Sequence, residues 1–507
     1  MNGVIIQYFH WYYEGPLWKE FAEQTEYLRE MGITAAWLPP ATKCNLGLDG
    51  RGYDVYDLYD LGEFDQKGGI PTRYGTKEEY IHAIEKAHHH GIAVYADIVL
   101  NHRMGGDEEE TVTVHKVDEE NRNQVISDAF EVSVHTKFTF PGRNGKYSDF
   151  IWDHHCFSGI DIVHKDGKEM HGIFKIHNES GLEWTNDVSH QFGNYDYLMG
   201  ADVEYRNPHV KQEMKNWIKW YLETTKADGL RLDALKHLSS DFLKEWITYI
   251  KTELNPDCFV LGEFWKDDAE KIRAFSDKMG DLISCFDAPL HYNFFRASRE
   301  GKDYDLSQIL KGSFLEHKPL LSVSFVENHD TQKLQALESA VRSWFKPLAY
   351  AIILLSEDAY PCLFYPDLFG AEYTDLADGK NVKITMPKIE ILPKLLEARQ
   401  RFATGKQIGY FDHPDCIAWV RSGKDGLFGC VTVISNNKEQ FKEIDLGREH
   451  ANAIFKDFLN DRKEEIRTDE DGKAIFSVNP CSVSVWVKAE MMQSEVNHSI
   501  QKPENFK

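Results

Sequence analysis

The sequence lacks a long hydrophobic run. Its longest purely apolar stretch, 349–355, is far shorter than the roughly 20 residues that a membrane-spanning helix needs. The first residues also lack the basic region, the apolar core and the small-residue cleavage site of a secretory signal peptide. We therefore expect no membrane partner and no export by the usual route.

Cysteine is scarce, and so is positive charge. The 8 cysteines are scattered without a Cys-x-x-Cys pair, which is typical of reduced thiols and predicts a cytoplasmic protein rather than a disulfide framework. Lys and Arg number 58 against 82 Asp and Glu, a net charge of −24. Such an acidic surface repels phosphate backbones, so we expect no nucleic-acid partner.

What the sequence does contain is enough apolar material for two or three domains. Its 507 residues are 42% hydrophobic and 13% aromatic, a composition typical of a globular protein with a large core. Short apolar runs alternate with segments of helical spacing along much of the chain. The runs predicted as strands are 4–9, 34–38, 92–100, 229–235, 259–264, 282–286, 321–326 and 362–365.

About eight such strand–helix units predict an α/β fold in which a parallel sheet closes into a (β/α)8 TIM barrel. A doubly wound open sheet is the structural alternative. The barrel is assigned to 1–104 and 201–403. The turn-rich gap 105–200 is too long for a loop and is predicted to be a β-rich domain inserted after the third strand.

Beyond the barrel the helical spacing stops. Alternating runs such as 417–420, 427–434 and 482–487 predict an antiparallel β-sandwich as a C-terminal domain over 404–489. The polar stretch 490–507 is expected to be a flexible tail.

Three acids lie at or just after the carboxyl ends of predicted barrel strands, where barrel enzymes carry their active sites: Asp233, Glu263 and Asp330. Arg231 is two residues before Asp233 on the same strand, so both side chains point the same way and the guanidinium can keep the aspartate ionised. Glu263 lies among Leu261 and Phe264, an apolar setting that would raise its pKa.

Two carboxyl groups with different pKa values are the catalytic groups that cleave glycosidic bonds in most glycoside hydrolases. On this reasoning Asp233 is the candidate nucleophile and Glu263 the candidate general acid. A buried structural ion pair is the alternative that these positions leave open.

Four motifs extend this reasoning: DIVLNH at 97–102, GLRLDALKH at 229–237, LGEFW at 261–265 and FVENHD at 325–330. In this order they resemble the alpha-amylase family of glycoside hydrolases, family 13. The likeness spans nearly the whole chain and is strongest to the liquefying bacterial alpha-amylases and their intracellular relatives. It implies retaining endo-hydrolysis of α-1,4-glucans in starch, glycogen or maltodextrins by a chain expected to be a monomer.

The resemblance also implies roles for individual residues. Asp233 is the nucleophile, Glu263 the acid/base, and Asp330 holds sugar hydroxyls at the transition state. His102 and His329 bind the glucose at the cleavage point, Arg231 orients Asp233, and Tyr53 stacks on the sugar ring. Lys236 and His237 correspond to the leaving-group side of endo-acting members.

One structural calcium ion is implied as well. Its ligands would be the side chains of Asn101, Asp196 and Asp202 with the backbone carbonyl of His237, an oxygen-only set that suits Ca²⁺. The secreted relatives bind further metals, and the corresponding positions here are Ser158, Thr185, Glu204 and Arg206. A cation at Arg206 argues against that larger cluster.

Two other interpretations stay open. The chain could be an exo-acting amylase or transglycosylase that releases one fixed product, or a glucan-binding protein without activity.

A metal site at the adjacent residues 154–156 is not expected, because neighbouring residues rarely ligate one ion without more distant partners.

Overall fold

The structure is a computed structural model that describes residues 2–492. Eight parallel strands close into a barrel, which confirms the predicted fold class. β1 pairs with β2 on one side and with β8 on the other, so Ile5 lies opposite both Ala35 and Cys362. The barrel strands are β1 (Ile5–Gln7), β2 (Ala35–Leu38), β3 (Ala93–Ile98), β4 (Gly229–Leu232), β5 (Phe259–Gly262), β6 (Ser284–Phe286), β7 (Ser322–Phe325) and β8 (Tyr360–Phe364).

Helices surround the barrel, most with one buried face, while the helix Lys346–Leu355 is buried almost all round. Local sequence sets their ends: Thr76 and Glu79 form a capping box at the start of α2, and Gly280 ends α5 in the left-handed conformation. The helices are α1 (Leu17–Glu30), α2 (Lys77–His89), α3 (Pro208–Thr225), α4 (Ser240–Tyr249), α5 (Ala269–Met279), α6 (Ala288–Glu300), α7 (Phe314–His317), α8 (Lys346–Leu355), α9 (Tyr365–Phe369) and α10 (Leu392–Arg401).

The segment after β3 forms an antiparallel sheet, as predicted for the insertion. Its strands are His102–Arg103, Glu108–Val117, Phe130–Lys137, Phe157–Lys165, Lys168–Ile176 and Ala201–Val203. Short β-like runs in the sequence at 111–117, 130–140 and 173–177 predict three of these strands, whereas the sequence gave no indication of Phe157–Lys165. The first and last strands of this sheet, at 102–103 and 201–203, lie just outside the predicted insertion 105–200. The exact domain boundaries, 104/105 and 200/201, remain a prediction.

The C-terminal part is an antiparallel β domain, again as predicted. One sheet has six strands and a second has two. The strands are Gln407–Tyr410, Cys416–Arg421, Cys430–Ser435, Gln440–Asp445, Ile454–Asp457, Ile466–Arg467, Lys473–Val478 and Val483–Lys488. Its Trp419 Nε1 donates to the carbonyl of Leu355 at the end of α8, at 3.2 Å, which joins the domain to the barrel.

Two antiparallel hairpins and the chain terminus complete the description. The pair Ala371–Ala377 and Lys380–Met386 follows β8, and a short pair, Lys43–Cys44 and Val55–Asp57, follows β2. From residue 493 onward the predicted tail lies outside the described residues. No helix of the described part has the length and apolar character needed to cross a membrane.

Candidate active site

The three predicted acids lie at the carboxyl ends of their strands. Asp233 directly follows β4 and Glu263 directly follows β5, while Asp330 lies in the loop after β7. The backbone continues the barrel pattern one residue further: Asp233 N donates to Ile98 O at 3.0 Å, and Glu263 N donates to Leu232 O at 2.9 Å. The first two carboxylates are therefore fixed by the barrel itself.

Arg231 joins these carboxylates. Its Nη1 donates to Asp233 Oδ1 at 2.8 Å, and its Nη2 donates to Glu263 Oε2 at 2.7 Å. The Ala234 backbone N also donates to Glu263 Oε2, at 3.2 Å, from a left-handed conformation. The sequence predicted the Arg231–Asp233 contact, but it gave no indication of the contact with Glu263.

Asp97 completes the polar centre and was missed as a functional residue. It lies on β3, and its Oδ1 accepts from Arg231 Nη1 at 2.8 Å. Its Oδ2 accepts from the Tyr53 hydroxyl at 2.8 Å and from Trp37 Nε1 at 3.0 Å. A charged residue inside an otherwise apolar barrel strand was the signal available in the sequence.

Burial changes the acidity of this cluster. Desolvation raises the pKa of Glu263 to about 8, opposed by the Arg231 guanidinium and assisted by the charges of Asp233 and Asp330. Desolvation likewise raises the pKa of Asp330 to about 7 and that of Asp97 to about 6. The raised pKa favours the protonated form of Glu263, which a general acid requires.

The loop after β7 is held by its own polar side chains. Asn328 Oδ1 accepts from the backbone N of Asp330 at 3.0 Å, and Gln7 Nε2 lies 2.9 Å from His329 Nδ1. His329 Nε2 lies 3.5 Å from Asp330 Oδ2. Burial lowers the pKa of His329 well below its usual value, so the ring is neutral.

Aromatic rings form one wall beside the acids. The Tyr53 ring stacks on His329 with centroids 5.3 Å apart, and Trp11 stacks on Tyr53 at 5.8 Å. His102 Nε2 lies 2.8 Å from the Tyr53 carbonyl. His102 Nδ1 is buried without a hydrogen-bond partner among the described residues, so it is free to hydrogen-bond a bound molecule.

Lys236 and His237 lie in a short 3-10 helix, Leu235–His237, just after Asp233. Lys236 Nζ lies 5.1 Å from the centre of the Tyr195 ring, and burial lowers its pKa. His237 Nδ1 lies 2.8 Å from the Tyr195 carbonyl, and burial lowers its pKa to about 3. Both residues therefore connect the active-site strand to the insertion.

The predicted calcium ligands lie where the insertion joins the barrel. Asn101 Nδ2 donates to Asp202 Oδ1 at 3.2 Å, and Ser158 Oγ donates to Asp202 Oδ2 at 2.5 Å. Asp196 Oδ2 accepts from the backbone N of Thr185 at 2.9 Å. Both aspartates are buried, and Asp196 raises the pKa of Asp202, after desolvation as the larger cause.

This donor set fits a hard cation. Two buried carboxylates that repel each other, together with an amide, offer oxygen atoms of the kind that Ca²⁺ binds. Among the positions of the larger metal cluster, Glu204 instead pairs with Arg206, whose Nε donates to Glu204 Oε1 at 2.9 Å. That ion pair already neutralises the third carboxylate.

Comparison with known proteins agrees with this geometry. The family model "Alpha amylase, catalytic domain" matches residues 18–389, and "Alpha-amylase C-terminal" matches 430–487. The chain is 48% identical to the cytoplasmic alpha-amylase of Escherichia coli over 97% of this chain and 100% of that protein. It is 39% identical to the glucan 1,4-alpha-maltohexaosidase of Bacillus sp. over 96% and 92%.

A crystal structure of the Geobacillus thermoleovorans alpha-amylase with acarbose superposes with a TM-score of 0.59 at 21% identity, covering 92% of this chain and 91% of that one. This similarity supports the three-part fold. Because the family models match most of the chain and the sequence identity extends over nearly its full length, the protein belongs to the alpha-amylase family.

Proposed function

We propose that this protein is an alpha-amylase that cleaves internal α-1,4-glucosidic bonds with retention of configuration. One observation carries the proposal: Asp233 and Glu263 bind the two terminal nitrogens of one buried guanidinium at the carboxyl ends of adjacent barrel strands. Burial gives Glu263 a pKa of about 8, while Arg231 faces the neighbouring aspartate with positive charge. The two carboxyl groups are thereby prepared for different roles.

The reaction then has two steps. The Asp233 carboxylate attacks the anomeric carbon while Glu263 transfers its proton to the glycosidic oxygen, which breaks the bond and releases one part of the chain. Glu263, now ionised, takes a proton from water, and the water oxygen attacks the anomeric carbon and releases Asp233. Arg231 positions both carboxylates throughout, and Asp330 binds sugar hydroxyls near the reacting carbon.

The surrounding residues would bind the glucan. Tyr53 offers a ring face for the sugar, and the buried, unpartnered Nδ1 of His102 can hydrogen-bond its hydroxyls. His329 is stacked beside Tyr53 and would bind the same sugar. Lys236 and His237 follow Asp233 and would contact the departing part of the chain.

We infer one structural calcium ion held by Asn101, Asp196, Asp202 and the carbonyl of His237. It would neutralise the two aspartates and fix the insertion beside the active site. No step of the reaction depends on it.

A cytoplasmic location and a monomeric state are also proposed. The location is supported by the 48% identity to the cytoplasmic enzyme of Escherichia coli and by seven buried free cysteines in the described residues. The substrate class is then an intracellular α-glucan, such as glycogen or maltodextrin.

An exo-acting enzyme is the second candidate, favoured by the similarity to a maltohexaosidase. A time course on soluble starch with excess calcium separates the candidates by iodine staining, new reducing ends and product lengths. Early collapse of staining with mixed oligosaccharides supports endo-hydrolysis. One dominant product from the first minutes would identify an exo-acting enzyme or transglycosylase, and binding without products would indicate a glucan-binding protein.

A further inference from the structure

A turn of the insertion that contains none of the proposed catalytic or calcium residues gathers metal-binding side chains. The 153–156 turn consists of Asp153 and the 3-10 helix His154–Cys156. One ligand atom each of Asp153, His154 and His155 lies within 4.8 Å of the other two. The sequence argument against this turn was that it lacked a more distant partner, and the structure brings Glu110 from another strand of the insertion to His154.

We propose that the 153–156 turn binds a zinc-class divalent cation through Asp153, His154 and His155. Two imidazoles and one carboxylate suit Zn²⁺, Co²⁺ or Ni²⁺ rather than Ca²⁺, which prefers oxygen ligands. Three protein ligands leave at least one coordination position for water.

Glu110 orients His154 as metal-binding histidines are usually oriented. Its Oε1 lies 2.8 Å from His154 Nδ1, and its Oε2 accepts from the His154 backbone N at 2.9 Å and from Thr136 Oγ1 at 2.7 Å. A carboxylate on one ring nitrogen fixes the tautomer and leaves the other nitrogen, Nε2, to bind the metal.

His155 and Asp153 supply the remaining atoms. His155 Nδ1 is buried and has no hydrogen-bond partner in the described part of the chain, so it is free to bind a cation. Asp153 Oδ1 accepts from the His155 backbone N at 2.9 Å and so shapes the turn. The His154 side chain is 26% exposed, so a cation can enter from solvent.

The turn also contacts the segment that leads from the insertion into α3. Asn207 Nδ2 donates to the carbonyl of His155 at 3.1 Å, and Glu204 N donates to the carbonyl of Cys156 at 2.8 Å. A cation bound here would stabilise the junction between the insertion and the barrel. The effect is independent of the proposed hydrolysis.

The test uses metal-free protein reloaded with excess Ca²⁺ and then titrated with Zn²⁺ by calorimetry. The wild type is expected to bind one zinc equivalent that His155→Gln loses, with a zinc-dependent rise in melting temperature in the wild type but not in His155→Gln. Absorption of the Co²⁺ form should show ligand-field bands that disappear in the same variant.

His164→Gln is the matched control, because His164 lies in the strand Phe157–Lys165 that follows the turn and its Nε2 lies 3.5 Å from Glu169 Oε2. It should bind zinc as the wild type does. Glu110→Gln keeps all three ligands and should weaken zinc binding about 10–100-fold, which tests the site even if His155→Gln does not fold. Equal zinc binding by wild type, His155→Gln and Glu110→Gln, or loss of the equivalent in His164→Gln, would overturn the proposal.

Discussion

Arg231 Nη2 lies 2.7 Å from Glu263 Oε2, so the group that faces the proposed nucleophile also holds the proposed acid. The guanidinium opposes the effect of burial on Glu263, yet the pKa of Glu263 still rises to about 8. One arginine therefore contacts both carboxyl groups and opposes the effect of burial on Glu263.

Replacing Glu263 by Gln should reduce hydrolysis about 10²–10⁴-fold or more, because the amide cannot donate an acidic proton to the leaving oxygen. The release of reducing ends from soluble starch measures the change. Glu245→Gln, which alters an exposed glutamate on α4 bound by Lys211 and Lys215, is the control and should keep full activity. Undiminished hydrolysis by Glu263→Gln would contradict the assignment.

The same substitution should stabilise the fold increasingly as pH rises. Glu263 has a raised pKa in the folded protein, so the folded state binds a proton that the unfolded chain releases near its ordinary pKa. In the wild type the free energy of unfolding therefore falls as pH rises from about 4.5 to 8. Glu263→Gln has no titrating group at this position and lacks this loss. The melting temperature difference should be larger at pH 8 than at pH 4; a difference that shrinks with pH contradicts the account.

Asp330→Asn should move the basic limb of the pH profile to lower pH. The charge of Asp330 is one cause of the raised pKa of Glu263, so its removal lets Glu263 ionise more easily. The residual kcat/KM of Asp330→Asn against pH measures the shift. Asp241→Asn, at an exposed position of α4, should leave the pH profile unchanged. A basic limb that does not move in Asp330→Asn would show that the charge of Asp330 does not raise the pKa of Glu263.

Arg231→Met should destabilise the protein by about 3–5 kcal/mol, because it leaves buried carboxylates without their shared counter-charge. The three affected acids are Asp97, Asp233 and Glu263. Urea unfolding measures the change, and Arg273→Met, which removes an exposed arginine of α5, should have a small effect. Equal stability of the two variants would show that the network contributes little.

Calcium should raise the melting temperature of the wild type, and chelation should lower it again. Asp202→Asn should lose this response, because it removes one of the two buried carboxylates of the proposed site. Calorimetric titration should give one calcium per chain. Several strongly bound ions would instead indicate the larger cluster that the Glu204–Arg206 pair argues against.

The barrel was predictable because its strands are short apolar runs separated by helices with clear ends. The positions of Asp233 and Glu263 followed from the same pattern, since a residue just after a parallel strand must lie on the carboxyl face. The prediction was weaker where polar and apolar residues mix, and the strand Phe157–Lys165 of the insertion was missed for this reason.

Contacts between strands were harder to predict than positions along one strand. Arg231 and Asp233 share β4 and its immediate end, so their contact could be anticipated. The contacts of Arg231 with Glu263 and Asp97 depend on the order of β3, β4 and β5 and on the reach of a long side chain. The spacing of residues along the sequence shows neither the order of the strands in the barrel nor which groups a long side chain reaches.

The most direct test follows the first products of starch hydrolysis by proton NMR, with wild type and Glu263→Gln measured side by side. Retention through Asp233 predicts that the wild type releases reducing ends in the α configuration, which then equilibrate, and that the variant releases almost none. Initial release of the β anomer, or equal product formation by the variant, would contradict the proposed roles of Asp233 and Glu263.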